Sequence, residues 1–198
     1  NKYIEQNSWL SHDFALQFNC IWKYNLIWKG GIFLKAIEVA KYYLSKDING
    51  QLFNNNIVVK NERKFYEGNA RLNKYLFLTQ VVYLAKYGRK LFDDNFVAYD
   101  NGPVLVDIMK EYSHIANNNK KTIINDNDKM FLDKIYDALK NATYEELIDI
   151  THEDPEWIKL SHDTYNAPVM NLEENITEYQ KRYKGLIEAL KLWLINQS

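Results

Sequence analysis

The chain has 198 residues, a net charge of −1, 46% hydrophobic and 26% charged residues. That length suits one domain, or one domain with an extension, and this composition excludes wholesale disorder. The near-neutral balance offers no basic excess to displace counterions from a nucleic acid backbone, so it argues against DNA or RNA as a partner.

Cys20 is the only cysteine. It excludes an internal disulfide and a thiolate zinc cluster, and it fits a reducing, cytoplasmic compartment. The longest strongly apolar run, from about Tyr75 to Ala85, falls well short of the ~20 residues that a membrane helix needs. The first residues lack the basic start and apolar centre of a secretory signal. The abundance of Asn, Lys, Ile and Tyr reads as genomic base composition.

Residues 1–30 form an aromatic-rich N-terminal extension carrying Trp9, Phe14, Phe18, Trp22, Tyr24 and Trp28. Phe14, Phe18, Ile21 and Trp22 have helical spacing. So many large aromatics are expected to pack on the main domain, a second copy or a partner. Gly30-Gly31 marks the boundary, and residues 31–198 form the main domain.

Ile32 to Ser45 is expected to be a helix, with Ile37, Ala40, Lys41 and Leu44 on one face. Gln51 to Lys60 is the expected hairpin: Ile57, Val58 and Val59 favour a strand, and the run Asn54–Asn56 offers a turn. Arg71 to Tyr87 is apolar nearly all round, which predicts a helix buried on most faces, ended by Gly88. Phe96, Val97 and Tyr99 suit a short strand. Gly102-Pro103 is expected to open a helix with Val104, Ile108, Met109 and Tyr112 inward. Asp126 or Asn127 would cap a helix to about Lys140, with Phe131, Ile135 and Leu139 inward. Thr143 and Glu146 form a capping box, and Asp154-Pro155 opens a short helix containing Trp157 and Ile158. A last helix is expected from Glu173 to Asn196, with a stripe of Ile176, Tyr179, Tyr183, Leu186, Ile187, Leu190 and Trp193. The fold class is therefore mainly α (α+β with a small β element), a compact multi-helix domain around the central buried helix.

Chemistry-bearing motifs are sparse. The chain has no glycine-rich phosphate loop, nucleophile elbow or H-E-x-x-H zinc signature. Thr151-His152-Glu153-Asp154, with His162-Asp163 beyond it, groups histidines and carboxylates that could ligate a metal or do acid–base work. But His152 and His162 are ten residues apart with a proline between them. The simpler reading makes Asp154 the cap of the helix at Pro155 and has His152 bond nearby backbone. Asp93-Asp94 reads as a turn. No catalytic residue, cofactor or metal site is assigned. Tyr and Trp residues instead suit core and protein-interface anchoring.

Four blocks occur in an order that resembles a known family. Ala36 to Leu44 looks like an opening helix. Arg71-Leu72-Asn73-Lys74-Tyr75-Leu76-Phe77-Leu78-Thr79-Gln80, leading into Tyr83-Leu84-Ala85-Lys86-Tyr87-Gly88, is similar to the signature helix of the Panacea domain, found in phage-associated proteins. Leu91 to Tyr99 with Asn101-Gly102-Pro103-Val104 resembles its next block. Leu147, Thr151-His152-Glu153-Asp154-Pro155 and Trp157 resemble its later Thr-His-Glu block. The resemblance spans Ile32 to the C-terminus. The sequence departs from it at Asn49 to Asn69, which is longer than the usual link, and before Gly30, where no counterpart is recognised. Both are places for a lineage-specific contact.

The resemblance implies an antitoxin that neutralises a cognate toxin protein by direct binding, with no catalytic residues. One branch of the family delivers the toxin to a protease, so a protease adaptor is an alternative. A metal-dependent enzyme using His152, Glu153, Asp154 and His162 is the other. The candidate partner-binding surface comprises Trp9, Phe14, Phe18, Trp22, Trp28, Asp93, Tyr99, His152 and Trp157.

Overall fold

The structure is a computed structural model that describes residues 34–60, 62–115 and 122–188. The aromatic residues Trp9, Phe14, Phe18, Trp22 and Trp28 lie outside the described residues.

Helix α1, Ala36–Lys46, buries Ala36, Val39, Ala40, Tyr43 and Leu44. Its core face is rotated from the expected one, leaving Ile37 and Lys41 half-buried. The rotation admits Tyr43, whose hydroxyl pairs with Thr79 at 2.6 Å. No side chain of the preceding residue, Lys35, caps the helix. Instead Asp94 Oδ2 accepts from the Ala36 amide at 3.0 Å across 58 residues of chain. At the other end the Asp47 carboxylate accepts from the amides of Gln51, Leu52 and Phe53. That fan of bonds turns the chain through Gly50.

The expected strand at Ile57 to Val59 is present, but its partner follows it rather than preceding it, so the hairpin expected within Gln51 to Lys60 is displaced. Strands β1, Ile57–Lys60, and β2, Arg63–Tyr66, pair antiparallel from Ile57↔Tyr66 to Lys60↔Arg63. The Asn run lies before β1 and serves as a clamp. Asn55 bonds the amide and carbonyl of Ile115. The Asn54 carbonyl accepts from the Gly68 amide at 3.0 Å. A Cβ at Gly68 would stand 2.2 Å from that carbonyl oxygen, so only glycine allows the approach.

Helix α2, Glu67–Tyr87, begins four residues earlier than expected and is buried from Gly68 to Ala85 on nearly every face. It ends as expected: Gly88 takes φ +67° and donates to the Leu84 carbonyl at 2.8 Å. Its buried set includes the polar residues Asn69, Asn73, Lys74, Thr79 and Gln80, which the apolar reading did not single out. Burial of such groups is tolerated only with partners. The partners are the backbone of the segments wrapped around the helix. Gln80 donates to the Phe92 carbonyl at 2.7 Å and accepts from the Leu91 amide at 3.1 Å. Asn73 accepts from the Leu105 amide at 2.9 Å. Asn69 donates to the carbonyls of Met109 and Tyr112. One helix thus holds three stretches of the following loop in register.

Strands β3, Val97–Tyr99, and β4, Gly102–Val104, form a second hairpin. Gly102-Pro103 therefore does not open a helix. Gly102 has φ +91°, a turn conformation, and Asn73 takes the amide of Leu105 in an extended stretch. Helix α3, Val106–Glu111, starts only beyond it, burying Ile108 with Tyr112 behind.

Helix α4, Asp126–Leu139, is capped by Asn125, one residue earlier than expected, because Asn125 Oδ1 reaches the Asp128 amide at 2.9 Å. Phe131, Leu132 and Ile135 are buried, and Leu139 packs at the core's edge. Helix α5, Tyr144–His152, carries the expected Thr143–Glu146 capping box. Helix α6, Pro155–Leu160, is capped by Asp154, as expected.

A 3-10 turn, Ser161–Asn166, then leads to a stretch that runs beside β3, where Ala98 donates to Pro168 O and Met170 to Phe96 O, both at 2.9 Å. A second 3-10 turn, Leu172–Asn175, enters α7, Ile176–Arg182. The expected long final helix is interrupted at Tyr183 (φ −99°, ψ 14°) and resumes over 184–188. Tyr179 and Ile187 are buried as the stripe required, whereas Leu190 and Trp193 lie outside the described residues. Helices α1, α3, α4, α5 and α7 all pack on α2, so the fold is mainly α with two small hairpins. No helix among the described residues is long and apolar enough to cross a membrane.

Candidate functional site

Three of the predicted surface residues come together where β3, β4, the end of α5 and the start of α6 meet. The Trp157 indole donates from Nε1 to the Tyr99 carbonyl at 2.9 Å. Its ring lies flat against the His152 imidazole, with centroids 4.0 Å apart and planes 4° from parallel. All three residues are half-buried. Asp93 is exposed on the loop before β3 and takes no part in these contacts among the described residues.

Local sequence explains why this corner is rigid. Asp154 is buried and accepts from the amides of Glu156 and Trp157, which sets the entry angle of α6 and aims Trp157 back over His152. Burial pushes the Asp154 carboxyl above its ordinary value, opposed by those amides and by the neighbouring Tyr179 hydroxyl and Arg182 guanidinium. Burial raises the Tyr179 hydroxyl too, and the nearby Asp154 carboxylate adds to it. Glu156, also buried, accepts from the Asn171 amide at 3.2 Å and the Asn175 amide group at 3.1 Å. It ties α6 to the turn before α7. Arg182 closes the other side: it donates to the carbonyls of Glu153 at 2.7 Å and Ile150 at 3.2 Å, and pairs with the Glu153 carboxylate at 2.5 Å. A cation on the last carbonyls of α5 also suits the negative end of the helix.

Behind the corner lies Lys74. Its Nζ is within 3.3 Å of the Pro103 carbonyl, and the side chain is 1% exposed. Gly102 rests directly on Lys74, Thr151 and His152: a Cβ there would stand 2.8 Å from Lys74 Nζ, 2.9 Å from Thr151 Oγ1 and 3.3 Å from His152 Cδ2. Lys74, Gly-Pro-Val and Thr-His-Glu, scattered in sequence, are therefore parts of one packed unit.

The grouping that suggested a metal or acid–base site separates into different jobs. His152 stacks, Glu153 faces Arg182, Asp154 caps a helix and His162 is exposed on the 3-10 turn. Among the described residues no group of three or more His, Cys, Asp and Glu side chains could hold a metal ion.

The structure also exposes apolar side chains that the sequence reading did not assign to the surface. Ile158, Tyr165 and Val169 are 55%, 92% and 62% exposed. Val169 sits opposite Val97 on the side of β3 away from β4, and Tyr165 follows Thr164, whose hydroxyl bonds Asp100. Asp100 also pairs with Arg63 of β2 at 2.8 Å. Ile158 follows Trp157 in the expected helix, so its position was legible while its exposure was not.

Residues 72–158, from within α2 to within α6, are similar to the family model described as Antitoxin SocA-like, Panacea domain. No curated protein matches the chain. No solved structure matches it either.

Proposed function

We propose that this protein is an antitoxin that neutralises a toxin by direct protein contact, through the corner formed by Tyr99, His152 and Trp157 and the exposed Ile158, Tyr165 and Val169. The observation that supports it most is the match of residues 72–158 to an antitoxin domain, because the matched stretch contains Tyr99, His152 and Trp157. A large aromatic held by a hydrogen bond and a stack loses little entropy on binding, and exposed apolar side chains such as Ile158, Tyr165 and Val169 are available for contacts. The aromatic residues Trp9, Phe14, Phe18, Trp22 and Trp28 are proposed as a second part of the contact, since they precede the matched region. Asp93, exposed on the loop before β3, is proposed as a further polar contact.

The test is co-expression with the gene next to that of this protein. The neighbour alone should arrest growth, and this protein should restore growth and co-purify with the neighbour. A harmless neighbour, or arrest that persists with this protein present, overturns the reading.

A further inference from the structure

The hairpin β1–β2 lies outside residues 72–158, and nothing above gives it a task. Its outward residues are unusual for a hairpin: Ile57 and Val59 are 63% and 62% exposed. Only two residues connect Lys60 to Arg63, so Lys60–Arg63 and Val58–Phe65 are the pairs that exchange ladder hydrogen bonds. The Asn56 carbonyl accepting from the Glu67 amide at 2.9 Å continues the same alternation. Ile57 and Val59 fall at the alternate positions, where N–H and C=O turn away from β2. The same two residues thus present β-branched side chains on one face and ladder groups along the edge. Among the described residues no strand pairs with that edge. Proteins ordinarily blunt such edges, because they template the addition of another strand.

The charge on the hairpin narrows the occupant. Arg63 is held by Asp100, but Lys64, exposed and opposite Val59, makes no ion pair among the described residues. A strand laid along β1 with a carboxylate near that position would meet an available ammonium.

We infer that β1 is a docking edge to which the partner toxin adds an extended segment as a third strand, its apolar residues packing on Ile57 and Val59 and an acidic residue pairing with Lys64. Main-chain hydrogen bonds would give affinity, and the side-chain contacts would give choice of partner. The inference rests on the antitoxin reading, because it needs a protein partner.

The experiment uses the full chain and the purified protein encoded by the adjacent gene. Amide exchange of Ile57 and Val59 should be fast in the free chain and slowed roughly tenfold or more in the complex. Val59→Pro removes an edge donor without touching a ladder bond to β2, and Lys64→Glu reverses the charge. Each should weaken the complex about tenfold or more while leaving Tm within about 2 °C of the parent. Slow exchange at these amides in the free chain, at any concentration, means that the edge is already covered by the chain itself or by a second copy, and overturns the inference. A complex that neutralises the toxin, yet leaves these amides unprotected and tolerates both variants, overturns the docking edge and leaves the antitoxin reading standing. Absence of any complex overturns both.

Discussion

Gly102 rests on the buried ammonium of Lys74, so close that a Cβ at Gly102 would lie 2.8 Å from Nζ. The glycine also has φ +91°, a conformation that residues with a Cβ rarely adopt. Gly102→Ala therefore combines backbone strain with the displacement of Lys74, Thr151 and His152. The expected loss is about 2–4 kcal/mol of unfolding free energy, measured by denaturant melts. A loss below about 0.5 kcal/mol would show that β4 does not press on α2 as described.

Leu76, fully buried on α2, tests the centre of the fold. Leu76→Ala should lower stability by about 2–5 kcal/mol, the usual range for truncating a buried leucine. A neutral outcome would mean that the helix is not the hub on which the other helices pack.

How much of this was legible in the sequence depends on which kind of signal each residue gives. Local chemistry was readable: the Thr143–Glu146 capping box, Asp154 before Pro155 and Gly88 after Tyr87 each satisfy backbone groups within a few residues. Long-range polar contacts were not. Asp94 caps α1 from 58 residues away, and Asn73 and Gln80 hold loops that no periodicity connects to them. Gly102-Pro103 misled because glycine followed by proline serves a tight hairpin as well as a helix start, and only the φ of Gly102 decides. The Thr-His-Glu block was visible, but the exposure of Tyr165 and Val169 was not. Exposure depends on what the fold leaves uncovered, and alternation in a short irregular stretch does not encode it.

Asp154 gives a pH prediction with a definite sign. Its carboxyl is raised in the folded state by burial, so its protonated form favours folding relative to the ionised form. That contribution is fully present below the ordinary carboxylate range and is lost as pH rises through the raised folded value. Asp154→Asn keeps a side-chain oxygen for the amides of Glu156 and Trp157 but cannot ionise. The variant's Tm relative to the parent should therefore improve as pH increases from about 3 to about 7. A gap independent of pH would show that the Asp154 carboxyl titrates normally. Asp154→Ala, which removes the cap, should cost about 1 kcal/mol or more at any pH.

Tyr165 separates binding from stability most cleanly. It is 92% exposed, so Tyr165→Ala removes almost no packing and should change unfolding free energy by less than about 0.5 kcal/mol. If the corner of Tyr99, His152 and Trp157 together with the exposed Ile158, Tyr165 and Val169 is where the toxin docks, the truncation removes an aromatic anchor. Affinity for the toxin should then fall about tenfold, near 1.4 kcal/mol, with most of the change in the dissociation rate. Trp157→Phe is the companion variant: it keeps a ring to stack on His152 but loses the bond to the Tyr99 carbonyl. It should loosen the corner by about 1 kcal/mol and weaken binding in proportion. Calorimetry of both variants against the toxin, beside thermal melts of the free proteins, checks the two together. Unchanged affinity in both, with folding intact, would move the docking surface away from this corner.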